Sequence, residues 1–88
     1  MRQSLLISNE KGLHARASAK FVETVERFDA RAKVSFDGQS VSGDSIMGLL
    51  MLGAAKGSAI DVETQGAEAE KLAEALADLV GGLFGEGR

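Results

Sequence analysis

Asp37-Gly38 limits the topology of this chain more than any other pair of residues in it. Just before it, Ala32, Val34 and Phe36 alternate with Arg31, Lys33 and Ser35, the period-two pattern of a strand buried on one face. An Asp-Gly pair accommodates the positive φ angles of a two-residue hairpin turn. The spacing therefore predicts that Gln39 to Ser42 returns as an antiparallel neighbour of the first segment. Helical periodicity elsewhere in the same chain makes the class α+β.

The remaining segments fall around that hairpin. Arg2 to Ser8 reads as a first strand with Leu5 and Ile7 on one face, and the polar run Ser8 to Gly12 as a loop. From Ala15 to about Phe28, Ala15, Ala19, Val22 and Val25, flanked by Phe21 and Phe28, recur at helical steps. Ser42, Gly43, Asp44 and Ser45 supply N-cap candidates for a short helix, Ile46 to Leu52, which Gly53 can end. Ala59 to Thr64 alternates again as a fourth strand, and Gln65-Gly66 turns it. Ala69, Leu72, Ala73, Leu76, Leu79, Val80 and Leu83 form a last helical stripe, after which the glycine-rich tail from Gly81 is expected to fray.

The order β-α-β-β-α-β-α, without repeats or a linker, predicts a two-layer open-faced sandwich with its helices on one face of a four-stranded antiparallel sheet. Eighty-eight residues provide one small core, so residues 1–88 are expected to be a single domain.

Composition removes several function classes. Thirteen acids against ten bases, with four Phe and no Tyr or Trp, argue against nucleic acid as a partner, because such binding needs clustered cations and stacking surfaces. The absence of cysteine rules out thiolate chemistry and thiolate metal sites, and makes the cytoplasm the expected compartment. The apolar run Ile46 to Ala55 is too short for a membrane span, so no membrane insertion is expected.

Chemistry concentrates in Asn9 to Ser18, NEKGLHARAS, which holds the only histidine. Gly12 permits an unusual backbone, Leu13 can anchor the loop in the core, and His14 is then presented at the first turn of a helix. There the open N–H groups of Ala15, Arg16 and Ala17, together with the Arg16 guanidinium, form a receptor for a phosphoryl group attached to the ring. No carboxylate–histidine pair, nucleophile–base triad or second metal-ligating histidine is apparent, and Glu10 is the acid that could come near. No metal and no cofactor is expected. A second feature is DSIMGLLMLG at 44–53, whose apolar residues point around nearly the whole helix. Leu49 and Leu52 suit the core, whereas exposed Met and Leu would make an adaptable docking patch for protein partners.

Taken together, GLHAR at 12–16, SIMGLLMLGAAKG at 45–57 and the order of elements resemble the histidine-containing phosphocarrier (HPr) family of the bacterial phosphoenolpyruvate phosphotransferase system, over almost the whole chain. The resemblance implies sheet order 1-4-2-3 under three helices. It implies that His14 is phosphorylated on Nδ1 by phospho-Enzyme I and passes the group to an Enzyme IIA domain, with Arg16 as the phosphate-site arginine. By the same resemblance Ser45 matches the serine modified by an HPr kinase/phosphorylase, and Ile46, Met47 and Leu50 match the partner-docking surface. Such a protein is a phosphotransfer intermediate without autonomous catalysis, and a monomer.

Two positions depart from the family pattern. Ala17 stands where Pro usually follows the arginine, which suggests a slightly less rigid first turn. Asp44 stands where Lys commonly precedes the serine, so phosphorylated Ser45 would sit beside an existing negative charge. The sugar-uptake branch and the nitrogen-related regulatory branch (NPr) both fit this reading. A regulator acting by stoichiometric binding through residues 45–52 is the alternative from another class.

Overall fold

A computed structural model describes all 88 residues. The elements are β1 (Arg2–Leu6), α1 (Ala15–Glu26), β2 (Arg31–Phe36), β3 (Gln39–Ser42), α2 (Ile46–Leu52), β4 (Ala59–Gln65) and α3 (Ala69–Gly81), followed by a single 3-10 turn at Leu83–Gly85. The sheet order is β1-β4-β2-β3 and every pairing is antiparallel. The α+β sandwich expected from the sequence is the one observed.

The hairpin forms as its turn residues require. Asp37 and Gly38 have φ of 51° and 79°, and Phe36 pairs with Gln39 across the turn. Alternation then sets the two faces of the sheet. Ala32, Val34, Ile60, Val62 and Thr64 are buried beneath the helices, while Arg31, Lys33, Asp61 and Gln65 lie on the open side. On that side Glu63 accepts from Arg2 at 2.7 Å and faces Lys33 at 4.0 Å. The Arg2 hydrogen bond, and then the Lys33 charge, lower the Glu63 pKa. An exposed cluster of this kind adds little to stability.

The helices pack as layers on the other face, with one shift from expectation. The buried side of α1 consists of Ala17, Ser18, Phe21, Val22, Thr24 and Val25, whereas Ala15 is exposed and Ala19 half-buried. Alanines at both edges of the stripe blur its phase, and the large Phe21 decides which side turns inward. In α2 the division is sharper. Leu49 and Leu52 are buried and Leu50 half-buried, but Met47 and Met51, one turn apart, are 66% and 72% exposed, with Ile46 beside them. Ser45 is the N-cap of this helix, its Oγ accepting from the Gly48 N–H at 3.0 Å.

The tail does not fray. Leu83 and Phe84 hold positive φ angles of 58° and 55°, a conformation costing roughly 1–2 kcal/mol for each residue. Phe84 is nevertheless fully buried in the common core, and its carbonyl accepts from the Lys20 ammonium at 2.6 Å. Burial of a Phe side chain contributes about 1.5–3 kcal/mol, enough together with this bond to hold the turn.

Truncation of the two anchors is expected to separate their roles in urea denaturation. Phe84→Ala should cost about 3–4 kcal/mol and release the tail, whereas Ser45→Ala should cost about 1 kcal/mol through the lost cap.

Candidate functional site

The loop from Ile7 to His14 is fastened to the segment that follows α2. Ile7 N–H donates to Ser58 O at 2.8 Å, Gly57 N–H to Ile7 O at 2.7 Å, and Leu13 N–H to Ala54 O at 2.9 Å. Gly12 has φ of +65°, and a Cβ there would lie 2.7 Å from Ala54 O and 2.8 Å from Ala55 Cα. Only glycine allows the two backbones to approach so closely in this conformation. Leu13 is buried as expected, which leaves the next residue at the mouth of α1.

That residue, His14, is the N-cap of the helix. Its Nδ1 accepts from the Arg16 N–H at 3.3 Å on the exposed side of the ring. The first backbone bond of the turn runs from Ser18 N–H to His14 O at 2.8 Å, so the Ala15 and Ala17 N–H groups have no partner within the chain. Ala17 is the third helical residue and is buried, so its backbone is held by packing as well as by propensity. Alanine at this position keeps an N–H that Pro would lack. The Arg16 side chain is exposed and makes no ion pair or hydrogen bond, leaving a free cation in the lining of the cleft around the ring.

The other nitrogen of the ring is covered. Nε2 contacts Glu86 Oε2, and the side chains of His14 and Glu86 are 26% and 12% exposed. Because Nδ1 receives an N–H and Nε2 meets a carboxylate, the hydrogen of the neutral ring belongs on Nε2. Glu86 is itself positioned by Asn9, a fully buried residue whose Nδ2 donates to Gly12 O at 2.8 Å and to Glu86 Oε1 at 3.0 Å. Reversing that amide would set its oxygen, which has no partner in the chain, against two acceptors. The site therefore does contain a carboxylate–histidine pair. Its acid is Glu86 and not Glu10, which faces Arg88 at 3.6 Å.

Around the ring lies a cleft of about 330 Å³ lined without any hydrophobic residue, by Glu10, Lys11, Arg16, Lys20, Glu86 and Arg88 among others. Four of these six are cations, so the rim is locally positive although the chain is acidic. The structure places His14, Ala15, Arg16 and Ala17 at the start of α1, where His14 and Arg16 line this cleft; of the three N–H groups expected to be open, that of Arg16 is instead engaged by Nδ1. Ser45, Ile46, Met47 and Leu50 belong to α2 and its cap, outside the lining of this cleft. Asn9 and Glu86 went unrecognised in the sequence. No local pattern marks the second, because α3 ends at Gly81 and the chain turns through left-handed Leu83 and Phe84 before it reaches Glu86.

A family model described as the PTS HPr component phosphorylation site matches residues 1–81. The chain belongs to the HPr family of phosphocarrier proteins. HPr of Neisseria meningitidis serogroup B is 49% identical over 87 residues, covering 99% of this chain and 98% of that protein. HPr of Cupriavidus necator is 40% identical over 87 residues, with the same coverage of both chains. Among solved structures, HPr-C-His from Thermoanaerobacter tengcongensis superposes with a TM-score of 0.93 at 36% identity, covering 98% of this chain and 97% of that one. An HPr from Bacillus anthracis gives 0.86 at 39% identity, covering 91% and 95%. No helix in the chain is long and apolar enough to cross a membrane.

In this HPr-family chain the tail is tied to the site through a titrating group. The Asn9 amide, and after it the His14 ring, hold the Glu86 carboxyl below its usual pKa, against the opposing effect of burial. A lowered carboxylate pKa contributes stability above the ordinary value of 4.5, and the contribution disappears as pH falls through the lowered pKa. Acidification below about pH 4.5 should therefore loosen the Gly85–Arg88 amides in an NMR titration, and Glu86→Gln should remove that pH-dependent step.

Proposed function

We propose that this protein carries a phosphoryl group on His14 Nδ1, receiving it from phospho-Enzyme I and delivering it to an Enzyme IIA domain. One observation carries this reading. The only imidazole in the chain caps the N-terminus of α1, with Nδ1 on the exposed side against the Arg16 N–H, and the unpaired Arg16 side chain lines the same cleft. In transfer the Nδ1 lone pair attacks phosphorus, the donor's P–N bond breaks, and its electron pair returns to the donor nitrogen. As that lone pair bonds phosphorus the Arg16 N–H gives up its contact with Nδ1, and with the Ala15 and Ala17 N–H groups and the Arg16 side chain it is then free to meet the new phosphoryl charge.

Partners dock on α2, with Met47 supplying adaptable apolar surface next to Ile46 and the half-buried Leu50. Ser45 is the regulatory position for an HPr kinase/phosphorylase. Its hydroxyl is engaged in capping, and the Asp44 carboxylate, which accepts from Ser42 Oγ at 2.5 Å, opposes a second negative charge there. The protein works as a monomeric carrier in the cytoplasm and needs no cofactor. Sugar uptake and nitrogen-related regulation are separated by the Enzyme IIA that takes labelled phosphate from the loaded carrier.

Incubation with labelled phosphoenolpyruvate and Enzyme I from the same organism tests this assignment. Wild type should acquire acid-labile phosphate, His14→Ala none, and Arg16→Ala should load about 10- to 100-fold more slowly, the range for losing a charge-assisted hydrogen bond. Equal labelling of His14→Ala would exclude the acceptor named here. A regulator acting through binding alone would instead lose function in Met47→Glu and keep it in His14→Ala.

A further inference from the structure

The family reading leaves open why one ring nitrogen reacts and the other does not. We propose that Glu86 is a positioning residue that selects Nδ1 as the phosphoryl acceptor by occupying Nε2; this rests on the assignment of His14 as the acceptor. Three features of the structure lead to it. The Glu86 carboxylate meets Nε2 from a part-buried position, while Nδ1 lies on the exposed side with only a backbone N–H at 3.3 Å. Glu86 does not hang free, because Asn9 holds Oε1 at 3.0 Å while Oε2 takes the ring. The tail that carries Glu86 is anchored separately, by buried Phe84 and by the Lys20 bond to its carbonyl.

The carboxylate acts on Nε2 in two ways. It fixes the hydrogen there, so that the nucleophilic lone pair is on Nδ1. It also places a negative charge where a phosphoryl donor, itself an anion, would have to approach Nε2. The cations lining the cleft, Lys11, Arg16, Lys20 and Arg88, attract an anionic donor, and the acids Glu10 and Glu86 restrict where it settles. During transfer, attack by Nδ1 leaves the ring as an imidazolium whose Nε2 hydrogen remains against Glu86. When the group departs, the N–P pair returns to Nδ1 and the ring regains the tautomer it had at rest. No proton has to leave or enter the ring in either direction.

Phosphoramidate tests this without Enzyme I. Its phosphoryl group bonds to the ring nitrogen as its own P–N bond breaks and ammonia leaves with the electron pair. The product is read by phosphorus and long-range nitrogen NMR, which distinguish Nδ1- from Nε2-phosphohistidine. Wild type should give the Nδ1 product. Glu86→Ala should shift the partition toward Nε2 by about tenfold or more, the loss expected for a hydrogen bond to a charged group. Glu86→Gln, whose amide oxygen still accepts from Nε2–H, should restore most of the preference. Unchanged amide shifts at Phe84 and Gly85 check that the tail stays seated in Glu86→Ala. If they move, Glu86→Gln decides the matter, a predominantly Nδ1 product supporting the proposal and a mixed product overturning it.

An Nε2 product from wild type, or an unaltered Nδ1 preference in Glu86→Ala with a seated tail, also overturns it. Failure of the Enzyme I reaction combined with these regiochemical shifts would reject the carrier function and leave the role of Glu86 standing.

Discussion

The close backbone contact between Gly12-Leu13 and Ala54-Ala55 is the constraint on which the site depends. It places His14 at the mouth of α1, and it ties the histidine loop to the segment leaving α2, the helix that presents Met47 and Met51. A side chain at residue 12 would have to displace main-chain atoms, and would have to adopt a φ disfavoured for L residues. A flexible neighbour cannot absorb such a clash. The helix N-terminus with its imidazole and the exposed apolar surface of α2 are therefore fastened to one another through this contact.

The turn at the end of the chain completes what this contact begins. Two residues in left-handed conformation would be unfavourable in a free tail, and the buried ring of Phe84 holds them. Once Phe84 is seated, Glu86 reaches the imidazole and Asn9 reaches Glu86. Packing of the tail thus controls hydrogen bonding in the cleft beside it. A small hydrophobic core sets the electrostatics of an exposed site through a few residues of chain.

Much of the fold was legible because its signals are local. Alternation at Ala32, Val34 and Phe36, the Asp37-Gly38 turn, and the stripe through Leu72, Leu76 and Val80 each require one structure whatever surrounds them. The phase of α1 was less readable, since alanines carry too little apolar area to mark a face and Phe21 had to decide it. The glycines from Gly81 onward misled for a related reason. They report local freedom, whereas the state of the tail follows from the non-local burial of one aromatic ring.

For the site the division is similar. The sequence by itself determined the element order, the hairpin and the helix that His14 caps, because each of these follows from residues close together in the chain. Tertiary structure alone decided that Asn9 is buried and that Glu86 and not Glu10 faces the histidine, meeting it at Nε2. Those contacts join residues more than seventy positions apart, and no periodicity or spacing encodes them. They exist because the core draws Phe84 inward and carries the carboxylate to the ring.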